Sequence, residues 1–61
     1  MKVKELIELI ESFGYVHVRT RGDHRIFKKD GCRPIPIPGK LSDDVPIGTQ
    51  KAILRQIAKV E

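Results

Sequence analysis

The stretch that decides the fold lies at residues 32–38, which read CRPIPIP. Its three prolines occupy alternate positions, so their missing N–H groups all lie along one edge of an extended chain. Ile35 and Ile37 can still form backbone hydrogen bonds to a neighbour on the other edge. Because proline is tolerated in a sheet only at such a position, the stretch predicts an edge strand. Both isoleucines share one face, where helices can cover them.

Residues 15–20, YVHVRT, precede this strand and alternate in the way that a half-buried strand does. Val16 and Val18 share one face. The other face takes Tyr15, His17 and Arg19. The alternation predicts that the valines face a core, and it leaves Tyr15 either partly buried or available to stack on a base.

A further strand is predicted at residues 24–28, between turns at 21–23 and 29–31. The first turn contains Gly22, which can adopt the positive φ that tight turns need. Ile26 and Phe27 are adjacent, so alternation alone leaves the facing of this strand open. We favour Phe27 on the core side. The opposite face then carries His24, Ile26 and Lys28.

Two amphipathic segments enclose the strands. Residues 3–13 carry apolar side chains at helical spacing, and Gly14 supplies the left-handed stop expected after a helix. After a polar loop at 39–47, a second helix is predicted over residues 49–59. Its apolar stripe consists of Ile53, Leu54, Ile57 and Val60.

The order helix, strand, strand, strand, helix predicts a single two-layer α+β domain over residues 1–61. We expect a three-stranded antiparallel sheet with two helices on one face. This α-β-β-β-α layout is also that of the double-stranded-RNA-binding domain, which favours RNA as a partner without establishing it.

The net charge of +4 is concentrated in one segment. Residues 19–33 hold six basic and two acidic residues, while the rest of the chain is balanced. A local cationic surface indicates a polyanion partner such as RNA, although a solvated face has the same composition. The candidate RNA-binding cations are Arg19, Arg21, Arg25, Lys28, Lys29 and Arg33.

The sequence also bears on the compartment. A single cysteine, Cys32, excludes an intrachain disulfide and is typical of a reducing compartment. The apolar runs are too short for a membrane span or a secretory signal. We therefore expect a cytoplasmic protein without a membrane partner.

His24 is the leading catalytic candidate, because it follows a turn within the cationic segment. RNA carries its own nucleophile, the 2′-hydroxyl, so cleavage needs a proton acceptor or donor and cations near the phosphate. Surface decoration is the plain alternative for a lone histidine. His17 is a competing candidate in mid-strand, and Cys32 has no base beside it in sequence. The histidines and the cysteine lack zinc-ligand spacing, so neither a metal nor another cofactor is expected.

Three motifs stand in the order and spacing of the HicA toxin family. They are FGY at 13–15, RGDHRIF at 21–27 and IGT at 47–49, and the last helix continues the match with AILRQ at 52–56. The chain resembles that family over nearly its whole length. The resemblance implies a double-stranded-RNA-binding-like fold, a ribosome-independent mRNA endonuclease and a HicB-like antitoxin that neutralises it. It also implies that His24 is the catalytic histidine and that Gly22 is the turn glycine.

One position departs from the family pattern. A serine usually precedes the catalytic histidine, whereas this chain has Asp23. The carboxylate can orient the imidazole, or it can repel RNA phosphates and lower activity. Asp23 and Gly22 complete the set of expected RNA-contacting residues, and His17 has no assigned counterpart in the family.

Three hypotheses follow for function. The first is metal-independent RNA cleavage by a protein that is monomeric when free. The second is an RNA-binding module of the same fold without catalysis. The third is an adaptor whose basic face meets an acidic protein.

Overall fold

The structure, a computed structural model, describes residues 1–58. Its elements are α1 (Val3–Ser12), β1 (Val16–Arg21), β2 (His24–Lys28), β3 (Ile35–Pro38) and α2 (Ile47–Ala58). The predicted α-β-β-β-α order is confirmed, with an antiparallel sheet of order β1-β2-β3. The predicted contributions of Lys59 and Val60 to α2 lie outside the described residues. Within residues 1–58, no helix is both long enough and apolar enough to cross a membrane.

One hydrophobic core joins the two helices to one face of the sheet. Its side chains are aliphatic apart from one tyrosine and one phenylalanine, and none of them is more than 6% exposed. The core consists of Val3, Leu6, Ile10, Tyr15, Phe27, Ile35, Ile37, Val45, Ile53 and Ile57. Burial of these side chains provides the main stabilisation of so small a domain.

The edge position of β3 is confirmed, since it pairs with β2 alone. Ile35 lies opposite Phe27, and the three apolar residues of β2 and β3 that face the helices, Phe27, Ile35 and Ile37, are at most 2% exposed. The favoured facing of Phe27 is therefore correct. Pro36 lies opposite Ile26. Because proline has no N–H to donate, this pair cannot be a hydrogen-bonded one, and the backbone polar groups of Ile26 must point toward β1.

The predicted half-burial of the first strand is wrong. All six residues of β1 are exposed, with Val16 at 62% and Val18 at 50%, whereas Tyr15 is only 2% exposed. Side chains on directly opposite residues share a face, and His17 lies opposite Phe27, so His17 and not the valines is on the helix side. α1 packs on β3, and burial within the sheet is confined to side chains of β2 and β3, so the helical layer covers those two strands and leaves β1 open.

A β-bulge explains why simple alternation fails along β1. The register shifts between His17 and Arg19, so Val18 is an extra residue in the ladder. Beyond the bulge, Arg19 lies opposite Ile26 and Arg21 lies opposite His24. Arg19 was predicted on the face away from the valines. The extra residue instead brings it to the same outer face as Val16.

The loop between β3 and α2 holds the start of α1 in place. The N–H groups of Val3 and Lys4 donate to the carbonyls of Asp43 and Leu41 at 2.9 and 3.1 Å. These bonds satisfy donors that a helix start leaves without partners. α2 begins two residues earlier than predicted, since the Pro46 carbonyl already accepts the N–H of Gln50 at 2.9 Å.

Candidate active site

The turn between β1 and β2 positions the candidate catalytic histidine. Gly22 has a φ of 59°, and Asp23 has a negative φ, which is the pattern of a two-residue type II′ hairpin turn. That turn type matches the twist of antiparallel strands and needs glycine at its first central position. Consequently Asp23 is the last turn residue and His24 is the first residue of β2.

The imidazole of His24 is held from one side only. Its Nδ1 lies 2.9 Å from Oδ1 of Asp23, and the two side chains are 48% and 81% exposed. An ionised carboxylate only accepts hydrogen bonds, so Nδ1 must carry the proton in this contact. The neutral ring then presents an unprotonated Nε2, which has no hydrogen-bond partner among the described residues. Such a nitrogen can accept a proton from a substrate.

Three of the predicted cations share the outer face of the sheet with His24. Arg21 is directly across the ladder from His24 in a hydrogen-bonded pair, for which the Cα separation is about 5.5 Å. Arg19 is next on β1 along the same face, and Lys28 lies at the far end of β2. All three are exposed. The register thus puts two arginines and the imidazole on one exposed face of the sheet, and guanidinium groups on such a face attract phosphate.

The other predicted cations lie elsewhere. Arg25 has the same parity as Phe27 and is half-buried on the helix side, where its Nη1 donates to the carbonyl of Gly39 at 2.9 Å. The ammonium of Lys29 lies 5.8 Å from the centre of the Tyr15 ring, within range of a cation–π contact. Arg33 is exposed near the opposite end of the sheet from His24, and its carbonyl accepts from Nε2 of Gln56 at 2.8 Å.

Comparison with known proteins gives a match to a family model. A family model described as the HicA toxin of bacterial toxin–antitoxin systems matches residues 3–58. The chain belongs to the HicA toxin family. The resemblance seen in the sequence motifs is thereby confirmed, and membership implies a toxin with an antitoxin partner. Neither the curated proteins nor the solved structures provide a match.

His17 and Cys32 are not part of the same arrangement in this HicA family member. The Nε2 of His17 lies 3.1 Å from Oγ1 of Thr20, and its ring centroid is 5.3 Å from that of Phe27. It is therefore on the opposite face from His24. Cys32 is half-buried, and its thiol lies 3.7 Å from the Asp30 carbonyl and near the Tyr15 hydroxyl. Residues 1–58 contain no cluster of three or more side chains suited to a metal ion.

Sequence reasoning missed the contribution of Gly39. Its N–H donates a hydrogen bond to the carbonyl of Asp23 at 3.2 Å, and its own carbonyl accepts one from the Arg25 guanidinium. Gly39 therefore links the turn to the loop after β3. Its φ of 88° is accessible mainly to glycine, and a Cβ there would lie 3.2 Å from Oδ2 of Asp43. A cleft of about 280 Å³ lies beside the turn and is bordered by Asp23, Gly39 and Lys40. The sequence signal was a glycine directly after the strand, which was interpreted only as the start of a loop.

Proposed function

We propose that this toxin is a metal-independent endoribonuclease that cleaves mRNA and is inhibited by a HicB-like antitoxin. The observation that carries the proposal is the placement of His24, whose Nδ1 is held by Asp23, whose side chain is 48% exposed, and which lies opposite Arg21 in the ladder. One face thus combines a proton acceptor with cations, which are the groups that cleavage through the RNA 2′-hydroxyl requires. We expect the protein to act in the cytoplasm and to be a monomer when free.

The reaction follows from those groups. Nε2 of His24 takes the proton of the 2′-hydroxyl, and the 2′-oxygen forms a bond to the adjacent phosphorus. The bond from phosphorus to the 5′-oxygen breaks, and that oxygen leaves with a proton from the imidazolium or from water. Arg19 and Arg21 stabilise the negative charge that develops on the phosphorane oxygens. The products carry a 2′,3′-cyclic phosphate, or the 3′-phosphate formed from it, and a 5′-hydroxyl.

The test compares wild type, His24→Ala and His17→Ala. His17 is a matched control because it is an exposed histidine of the same hairpin on the opposite face. Each protein is expressed in cells and assayed on a single-stranded RNA in the presence of a chelator. We expect wild type and His17→Ala to arrest growth and cleave RNA, and His24→Ala to do neither. Equal activity of all three would exclude His24 as the catalytic residue.

A substrate control separates this chemistry from other phosphodiester cleavage. The same oligonucleotide with a single 2′-deoxy substitution at the mapped cleavage position lacks the nucleophile. We expect cleavage to stop at that position while binding is kept. Cleavage of the substituted strand at an undiminished rate would require a different nucleophile and would overturn the proposed reaction.

A second candidate function is RNA binding without catalysis, and the carboxylate of Asp23 favours it. That group is 81% exposed within the cationic surface, where it opposes the approach of phosphates. Salt-sensitive binding of RNA with no cleavage by wild type would support this function over the first, and a gain of cleavage in Asp23→Ser would identify the carboxylate as the cause.

A further inference from the structure

The two edges of the sheet differ in whether another strand can be added. β3 carries Pro36 and Pro38, which remove N–H groups from its outer edge. β1 contains no proline and is longer, and its outer edge pairs with no strand among residues 1–58. The molecule therefore blocks one edge and leaves the other open.

The register identifies which backbone groups of β1 face outward. The backbone N–H and C=O groups of Ile26 point toward β1, so Ile26 and Arg19, which lies opposite, form a hydrogen-bonded pair. By alternation, the N–H and C=O groups of His17 and Thr20 point away from β2, to the open edge. No backbone hydrogen bond to an element other than β2 engages either residue in the described part of the chain. These groups are available to a partner strand.

Side chains beside the open edge combine apolar and cationic character. The bulge places Val16 and Val18 near Lys28 and Lys29, where they border a groove of about 390 Å³. Arg19 follows on the same face. One carboxylate, that of Asp30, borders the groove. Two half-exposed valines beside a cationic rim are suited to a segment with both aliphatic and acidic side chains.

We propose that the open edge of β1 binds an extended acidic segment of the antitoxin as a fourth strand of the sheet. This inference rests on the proposed function, because it assigns the surface through which the antitoxin inhibits. The added strand pairs with His17 and Thr20, covers the valines and places carboxylates against Arg19 and Arg21. The bulge interrupts the ladder, so side-chain contacts contribute much of the affinity.

Charge argues against a second copy of the chain as the occupant. Pairing of β1 with itself would bring Arg19 and Arg21 into one ladder with the same arginines of the other copy. Like charges in adjacent cross-strand positions are destabilising. The backbone ladder likewise favours a peptide over RNA, which has no complementary row of amide groups.

Amide hydrogen exchange on the unmodified toxin tests the proposal directly. The probe is the protein encoded by the reading frame adjacent to the toxin gene, purified and added in excess. We expect the amides of His17 and Thr20 to exchange rapidly in the free toxin and to become protected in the complex. Protection confined to α2 or β3 would overturn the proposal. So would protection of these two amides by single-stranded RNA or by raised toxin concentration but not by the antitoxin.

Variants supply an independent measurement. Thr20→Pro removes an outward N–H, and Val18→Asp places a negative charge on the edge. Each should weaken antitoxin binding about tenfold or more. Leu41→Asp is the matched control for Val18→Asp, because Leu41 is an aliphatic residue on a loop with similar exposure. Leu41 is 46% exposed and Val18 is 50% exposed. If thermal denaturation shows that both edge variants are folded and their affinity for the antitoxin is unchanged, the assignment is refuted.

Nuclease activity of the free protein separates this inference from the proposed function. If the edge variants lose antitoxin binding but still cleave RNA, both the edge assignment and the nuclease proposal are supported. Normal antitoxin binding by the edge variants with cleavage retained overturns only the edge. Absence of cleavage by wild type overturns the nuclease proposal, while the exchange experiment still reports on the edge.

Discussion

The contact between Asp23 and His24 predicts a small effect of Asp23 on catalysis. In a buried serine-protease triad, replacing the orienting aspartate by asparagine lowers kcat about 10⁴-fold. Here the aspartate side chain is 81% exposed and the histidine is 48% exposed, so water competes for both ends of the 2.9 Å bond. Exposed pairs of this kind contribute about 0.2–1 kcal/mol.

We therefore expect Asp23→Ala to lower kcat for RNA cleavage only about 1.4- to 5-fold, which is the ratio that this free energy corresponds to. The same variant should lower KM, because it removes a negative charge that repels the phosphates. Asp23→Asn keeps an oxygen that can accept from Nδ1 of His24, so it should lower KM with kcat nearly unchanged. His24→Ala should reduce kcat about 10²- to 10⁴-fold.

Steady-state cleavage of a fluorescent RNA oligonucleotide, measured across pH and at two salt concentrations, distinguishes these outcomes. A decrease in kcat for Asp23→Ala as large as that for His24→Ala would refute the inference from side-chain exposure. An equal loss of kcat with Asp23→Asn and Asp23→Ala would show that the hydrogen bond is not what Asp23 contributes. A rise in KM on removal of the charge would show that repulsion is not significant.

Three further predictions concern the phosphate contacts and the stability of the fold. Arg21→Ala should lower kcat/KM about tenfold more than Arg33→Ala, because Arg21 lies across from His24 and Arg33 lies at the other end of the sheet; equal losses in the same cleavage assay would contradict this. Tyr15→Phe should be close to neutral in urea denaturation at pH 7, since the buried Tyr15 hydroxyl lies near the Cys32 and Gln56 side chains without forming a hydrogen bond of ordinary length to either. Burial raises the pKa of Tyr15 above 10.0 in the folded state, so wild type should lose stability as pH rises above 10.0 toward that pKa, and the phenylalanine variant should lack this loss. Gly22→Ala should lower Tm by about 5–10 °C, because a φ of 59° costs about 1–2 kcal/mol for alanine and a Cβ there meets no atom within 4 Å; an unchanged Tm would show that the turn relaxes.

The strands differ in how far sequence alone could predict them. β3 was predictable because three alternating prolines leave only one way to pair, whereas the facing of Phe27 was favoured but left open by alternation and is settled by its position opposite Ile35. β1 was not predictable in the same way. Its alternation continues through Val18 in the sequence, while the bulge shifts the ladder at that residue. Whether valines in such a strand are buried depends on how far the helices extend across the sheet.

The candidate site, like the strands, was predictable from the sequence only in part. Charge clustering identified the cationic segment, and a turn next to His24 was legible from Gly22. Charge alone could not separate Arg21 from Arg25, although the facing of Phe27 already implied that Arg25 lies on the helix side. The partner of Arg25 was not predictable, because Gly39 reaches it only through the path of the loop after β3.

The outer face of the sheet limits how the toxin can be controlled. Arg19 and Arg21 are proposed both to stabilise the phosphate beside His24 and to receive carboxylates of an antitoxin strand on β1. A group that is paired with a carboxylate is no longer free for a phosphate, so the two ligands exclude each other without any change in the fold. By linkage, RNA must then weaken antitoxin binding by the same factor as the antitoxin weakens RNA binding. An inhibitor that covered α2 instead would leave these arginines free and show no such competition.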